Sequence, residues 1–248
     1  MITIFLHRGG RTEQATSIDR GWLNPAAGVS LWVDLAAPSI PESLILSDSF
    51  AFHPLAVEDA MSPRQPAKIE AYDGHLLAVL HAADGEVVCF VGPAFLVSVH
   101  RGESKAIADL VDSVQHGGKA LAEGPVGLMH RIVDAMADSY RPAMDRMSEC
   151  VASLERRLFE KATASLVRDV LELRREAFAL RQTVHAQRDV VERLARREFV
   201  DVSTEVAFRF RDVRDHLVHA ADEALALEDR LAGALTAAAG LASGRRWM

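Results

Sequence analysis

The chain has 248 residues, 49% of them hydrophobic and 25% charged, with a formal net charge of −7. These are the proportions of a globular chain of one or two domains. Asp and Glu outnumber Lys and Arg by 35 to 28, which excludes nucleic-acid binding driven by bulk charge. No run of about 18 apolar residues occurs, so no stretch reads as a membrane span, and Met1–Leu6 is too short for a signal peptide and has no cleavage site.

Ile2–His7 and Val29–Leu35 read as strands, the second with apolar residues at alternate positions. Ser39 followed by Pro41 predicts a helix through Leu46, and His53-Pro54 opens another through Met61. Pro63 and Pro66 must end that second helix, because each removes a donor and fixes φ. Lys68–Tyr72, His75–Ala82, Glu86–Val91 and Ala94–His100 follow as four β runs. Asp73-Gly74, Asp84-Gly85 and Gly92-Pro93 separate them as turns, so the four predict an antiparallel meander. Ser104–His116 is a helix with Ile107, Leu110, Val111 and Val114 on one face, stopped by Gly117-Gly118. The two cysteines, Cys89 and Cys150, read as free thiols of a reducing compartment.

Strand signals stop after this point. Leu128, Ile132, Met136, Tyr140, Met144, Met147, Val151, Leu154 and Leu158 predict one long helix kinked at Pro142. Leu166, Val170, Leu173, Ala177, Leu180, Val184, Gln187, Val191 and Leu194 predict a second. The short Lys161–Ser165 connection makes the two an antiparallel hairpin. The last stretch, Glu205 to Arg246, carries Val206, Phe210, Val213, Leu217, Ala220, Ala224, Leu227, Leu231, Ala234, Ala238 and Leu241 at gaps of four and three. That is the seam of a helix packed lengthwise on others. At about 1.5 Å per residue it makes a rod of roughly 63 Å, and its small residues let partner helices come close. It ends in Arg245, Arg246 and Trp247, which suit either the edge of a bilayer or a frayed, solvated end. The expected fold class is α+β. An N-terminal α/β domain with a largely antiparallel sheet (1–120) precedes a helical hairpin (121–204) and a long C-terminal stalk helix (205–248).

Asp212, Asp215, His216, His219, Asp222 and Glu223 share one face of the rod beside its seam. Their carboxylates suit a hard cation such as Mg²⁺ and their histidines Zn²⁺ or Co²⁺. A solvated polar stripe has the same spacing. Asp134 and Asp138 lie four apart, where like charges repel by a few tenths of a kcal/mol. No G-x-S-x-G, C-x-x-C, H-E-x-x-H or Gly-rich phosphate loop occurs, and Gly9-Gly10 and Gly117-Gly118 are too plain to cradle a phosphate. An enzyme reading therefore has no residues to rest on.

Three stretches taken together carry a resemblance. Phe52–Ala60 runs on through Pro63–His75, with the acids of H-P-L-x-x-E-D, a P-R-Q-x-P-K turn and an aromatic strand. Ile132–Ala135 with Asp138–Tyr140 reads I-x-D-A-x-x-D-x-Y, and Phe210–His216 reads F-R-D-V-R-D-H. In order and spacing the chain is similar to the CorA family of divalent-cation transporters. The resemblance implies a homopentameric, funnel-shaped cytoplasmic portion at the inner cell membrane, whose last helix continues into a pore. It implies regulatory metal sites between protomers, with Asp59 of one facing Asp212 of the next and Glu58 and Asp134 near a second site. Mg²⁺ is the expected cation, with Co²⁺ or Zn²⁺ as alternatives. The family's two membrane helices and Gly-Met-Asn pore loop do not occur in these residues, so this stretch alone is expected not to conduct. The rival readings are a zinc-transporting branch, which His216 and His219 favour, and a metal-independent helical scaffold; a hydrolase is the most distant.

Overall fold

The computed structural model describes residues 1–63, 65–160, 163–199 and 201–244. Arg64 of the proline turn, Lys161 and Ala162 of the expected helix connection, and the Arg245-Arg246-Trp247 ending lie outside the described residues, as does the Leu241 side chain.

The strands are β1 (Ile2–Arg8), β2 (Arg11–Ala15), β3 (Val29–Ala36), β4 (Lys68–Tyr72), β5 (His75–His81), β6 (Glu86–Val91) and β7 (Phe95–His100). They form one sheet in the order β2-β1-β3-β7-β6-β5-β4. β4 to β7 are the expected antiparallel meander, and β3 joins β7 as the one parallel pair among the described strands. β2 was not legible as a strand: Arg11–Ala15 is short, polar and at the sheet edge, where charged side chains discourage pairing with another chain. Gly9 and Gly10, both at positive φ (57° and 79°), close its hairpin to β1, which is why the pair is glycine.

The helices are α1 (Ile40–Asp48), α2 (Pro54–Met61), α3 (Lys105–Gln115), α4 (Gly124–Asp138), α5 (Tyr140–Glu160), α6 (Ala164–Ala195) and α7 (Thr204–Gly244). α1 starts with a Ser39–Glu42 capping box, and His53 Nδ1 caps α2 by accepting from Leu55 N–H at 3.2 Å. The expected single helix through Pro142 is two. Proline's ring clashes with the carbonyl four residues back, which here belongs to Asp138, and α4 ends there rather than bending. Ser139 takes up the break: its N–H and hydroxyl both donate to Met136 O, and its Oγ accepts from Ala83 N–H.

Both faces of the sheet are buried. Leu31, Val33, Leu35, Leu77, Val79 and Phe90 form one core with Leu46, Phe52, Ala56 and Ala60 of α1, α2 and the loop between them. Phe52 stacks on Phe90 at 4.1 Å between centroids. Trp32, Leu76, Ala78, Leu80, Cys89 and Leu96 on the other face join a second core. It runs through Ile107, Leu110, Ile132 and Met136 into the seam of α7, where Phe210, Val213, Leu217, Ala224 and Leu231 are all buried. α6 packs along α7 for much of its length, and α5 packs on both. The one polar member of the α6 seam, Gln187, is fully buried and accepts from His81 N–H at 3.0 Å. Tyr140 donates to His81 O at 3.0 Å. The turn between β5 and β6 is thus held by side chains from α5, α6 and the α4–α5 break.

Gln187→Leu leaves the His81 N–H without its acceptor. A buried donor orphaned in this way costs about 1–3 kcal/mol. The unfolding free energy should fall by that amount, read as a drop in the urea midpoint equal to it divided by the denaturant slope, with that slope unchanged.

Candidate functional site

The four acids singled out by the sequence fall into two groups. Asp59 and Glu58 sit on α2, whose buried residues belong to the core on one face of the sheet. Asp134 and Asp212 sit on α4 and α7, which belong to the core on the other. Within one chain the structure brings Asp134 and Asp212 into one electrostatic neighbourhood and keeps Asp59 and Glu58 apart from them.

Asp59 is partly buried and already has a cation. Lys68 Nζ of β4 donates to its Oδ2 at 2.7 Å and to Glu70 Oε1 at 3.1 Å, and Tyr72 donates to Glu70 Oε2. Burial works against the Lys68 charge, but the two carboxylates outweigh it and hold the ammonium above its usual pKa. Lys68 lies in the same quoted motif as Asp59, yet its pairing has no spacing rule, since the residues come from a helix and a strand nine positions apart. Glu58 is exposed.

Asp134 is in the opposite condition. Burial raises its pKa, and the nearby charges of Asp138 and Asp212 raise it further, against relief from His130 and His216. His130, one turn before it, is pushed down by burial, stacks edge-on with Phe210 at 5.1 Å, and has a buried Nδ1 without a hydrogen-bond partner. This histidine was missed, although its i, i+4 spacing to Asp134 was there to be read. Below it, Arg209 of α7 reaches Glu123 at 2.9 Å, and Arg131 pairs with the same carboxylate, fastening the start of α4 to the stalk.

The polar face of α7 is solvated. Asp212, Asp215, His216, His219, Asp222 and Glu223 are all exposed. Asp215 accepts from Arg214 Nε at 3.0 Å. His216, His219, Asp222 and Glu223 border a groove of about 590 Å³ with Asp138 and Arg141 of the neighbouring helices. Among the described residues no three His, Cys, Asp or Glu side chains are placed to hold a metal ion within one chain. Nor is any described helix long and apolar enough to cross a membrane.

An α+β domain feeds a stalk of long helices, with acids divided between its flank and that stalk. The model of the CorA-like Mg²⁺ transporter proteins matches residues 28–243, and the chain belongs to that family. It is 31% identical over 193 residues to YfjQ, named as a metal ion transporter of Bacillus subtilis. That match covers 75% of this chain and 60% of the relative, so this chain spans well under the whole of it. The fold matches the soluble domain of CorA from Methanocaldococcus jannaschii with a TM-score of 0.80 at 16% identity, over 94% of this chain and 95% of that one. It matches the ZntB cytoplasmic domain from Vibrio parahaemolyticus equally well, with a TM-score of 0.80 at 10% identity over 98% of both chains. The fold is shared by CorA- and ZntB-named structures and does not discriminate between them.

Asp134→Asn tests the charge balance at the α4–α7 contact. A carboxylate whose folded pKa is raised costs stability above that pKa and nothing below its unfolded value, where it is protonated in both states. The substitution should raise Tm at pH 7, and the gain should vanish as pH falls below about 4.

Proposed function

We propose that this chain is the regulatory, metal-sensing part of a CorA-type Mg²⁺ or Co²⁺ transporter, on the cytoplasmic side of the membrane. In this reading it binds and does not catalyse. Divalent cations are held between copies in a homopentamer, with Asp59 of one copy facing Asp212 of the next and Glu58 and Asp134 flanking a second site. The observation that carries the reading is the division of these acids between opposite faces of the sheet. A cation can be shared by Asp59 and Asp212 only if two copies meet. Exposed Phe208 and Leu225 on α7 and Phe178 on α6 leave apolar surface for such a meeting.

The residues fit a hard cation by their chemistry, since all four supply carboxylate oxygens. Burial chiefly, and repulsion from Asp138 and Asp212 besides, raise the Asp134 pKa, and a divalent ion would relieve the repulsion. At Asp59 the ion has a competitor, because Lys68 already takes one carboxylate oxygen. Filling the sites ties neighbouring copies together and holds the assembly closed. When the cation concentration falls, the acids repel, the stalks loosen and the pore opens. This is a population shift driven by the ion's preference for one arrangement.

The zinc-transporting branch remains the second reading because His216 and His219 face the same groove as Asp138, Asp222 and Glu223. Borderline-soft imidazole there favours Zn²⁺ over Mg²⁺.

A Mg²⁺ titration followed by thermal unfolding tests the proposal. At one hundred times Kd the ion should add about 2.7 kcal/mol, or roughly 5–10 °C in Tm for a chain of this size. Asp59→Ala and Asp212→Ala should each cut the rise by removing the shared site, and Lys68→Met should lower the Mg²⁺ concentration needed for it. No rise in the unaltered chain, or the same rise in both alanine variants, contradicts the proposal. A rise with Zn²⁺ alone that His216→Ala removes would favour the zinc branch.

A further inference from the structure

One large cavity has no part in the metal reading. It measures about 1090 Å³ and opens between the β5–β7 end of the sheet, the loop after α2, and the faces of α5 and α6. Pockets that enclose small organic ligands run to about 300–1,000 Å³. Small residues keep it open: Ala60, Ala82, Ala83, Ala143 and Ala179 line it, and a larger side chain at those positions would reach into the space. Val88, Val99, Met147, Leu173 and Leu180 give it aliphatic walls. Among the described residues no Phe, Tyr or Trp lines it, and its described walls are aliphatic rather than a stacking platform for a flat aromatic ligand.

Two arginines are among its described lining residues. Arg101 follows β7 directly and Arg146 comes from α5. Arg146 also borders the small cleft lined by Ser104 and Lys105, three and four residues beyond Arg101. Neither arginine makes a hydrogen bond or ion pair with another described residue, whereas most arginines of α6 and α7 do. His100, beside Arg101, is held by Asp34 at 3.4 Å and by Gly102 O at 2.6 Å. Burial pulls its pKa down, but Asp34 more than compensates and keeps it above the ordinary histidine value. The acids among the described lining residues are Glu86 and Glu176; Glu86 lies 3.7 Å from His81 and also feels the Arg101 charge without a direct bond to it, and Glu176 is exposed on α6.

We propose that this cavity binds an aliphatic anion, with its hydrocarbon body against the α5 and α6 walls and its carboxylate or phosphate on Arg101 and Arg146. An unpaired guanidinium at the rim of an aliphatic pocket can take a carboxylate or phosphate through two parallel hydrogen bonds. Occupation would bridge α5, α6 and the sheet, and so brace the helices that pack on the stalk.

Cys150 lines the cavity and is exposed, while Cys89 is fully buried in the sheet. A neutral maleimide should therefore modify one thiol per native chain, at Cys150, and its rate reports occupation. Decanoate or decyl phosphate, kept below micelle-forming concentrations, should slow that reaction at least tenfold at saturation. Decanol, with the same chain and no charge, should slow it far less. Which of the two anions protects better assigns the headgroup. Arg101→Gln with Arg146→Gln changes two exposed residues, so the fold should persist, and it should erase the advantage of the anions over decanol. An unchanged rate with both anions, equal protection by decanol, or full protection of the double variant would overturn the proposal.

Discussion

A sheet buried on both faces has to be covered twice, and that requirement organises this molecule. β5, β6 and β7 are apolar on both sides, so α1 and α2 must close one face while α3, α4 and the long helices close the other. The second core does not stop at the sheet. It continues through Met136 and Tyr140 into the buried seam of α7, which gives the 41-residue stalk helix a rigid root. The polar fastenings sit where the layers meet. Gln187 and Tyr140 hold the β5–β6 turn, and Arg209 holds the start of α4.

The same covering separates the charges. Asp59 goes with α2 to one side, where Lys68 neutralises it, and Asp134 and Asp212 go with α4 and α7 to the other, where burial and repulsion leave Asp134 strained as an anion. One carboxylate is thus satisfied by a tethered ammonium and the other is left to its neighbours. An assembly that places the Asp59 side of one copy against the stalk of the next gives a divalent ion work that a single chain does not provide.

Much of this was legible in the sequence because it depends on periodicity. The 4, 3 spacing of α7 needed only the geometry of a helix, and every seam residue from Phe210 to Ala238 is buried. The meander could be read because glycine and proline mark its turns. β2 could not, since a polar edge strand buries little and leaves no pattern. The break at Ser139 was misjudged as a kink. The proline was visible, but the side-chain bonds that let the helix end there come from the turn at Ala83, fifty-six residues earlier. The candidate acids were found through motif likeness, and their partners Lys68 and His130 were not. Lys68 meets Asp59 only after a helix and an edge strand pack, and His130 looks like any core histidine until Phe210 is laid beside it.

The central claim is that a divalent cation is shared between copies of this chain. The most direct test is the apparent Mg²⁺ affinity measured by calorimetry at two chain concentrations a hundredfold apart. A site built from two copies gains affinity as the chain is concentrated, because binding and association are linked by mass action. The account predicts tighter Mg²⁺ binding at the higher concentration, reduced in Asp59→Ala and in Asp212→Ala. An affinity that does not change with chain concentration, or no binding at either, would contradict it.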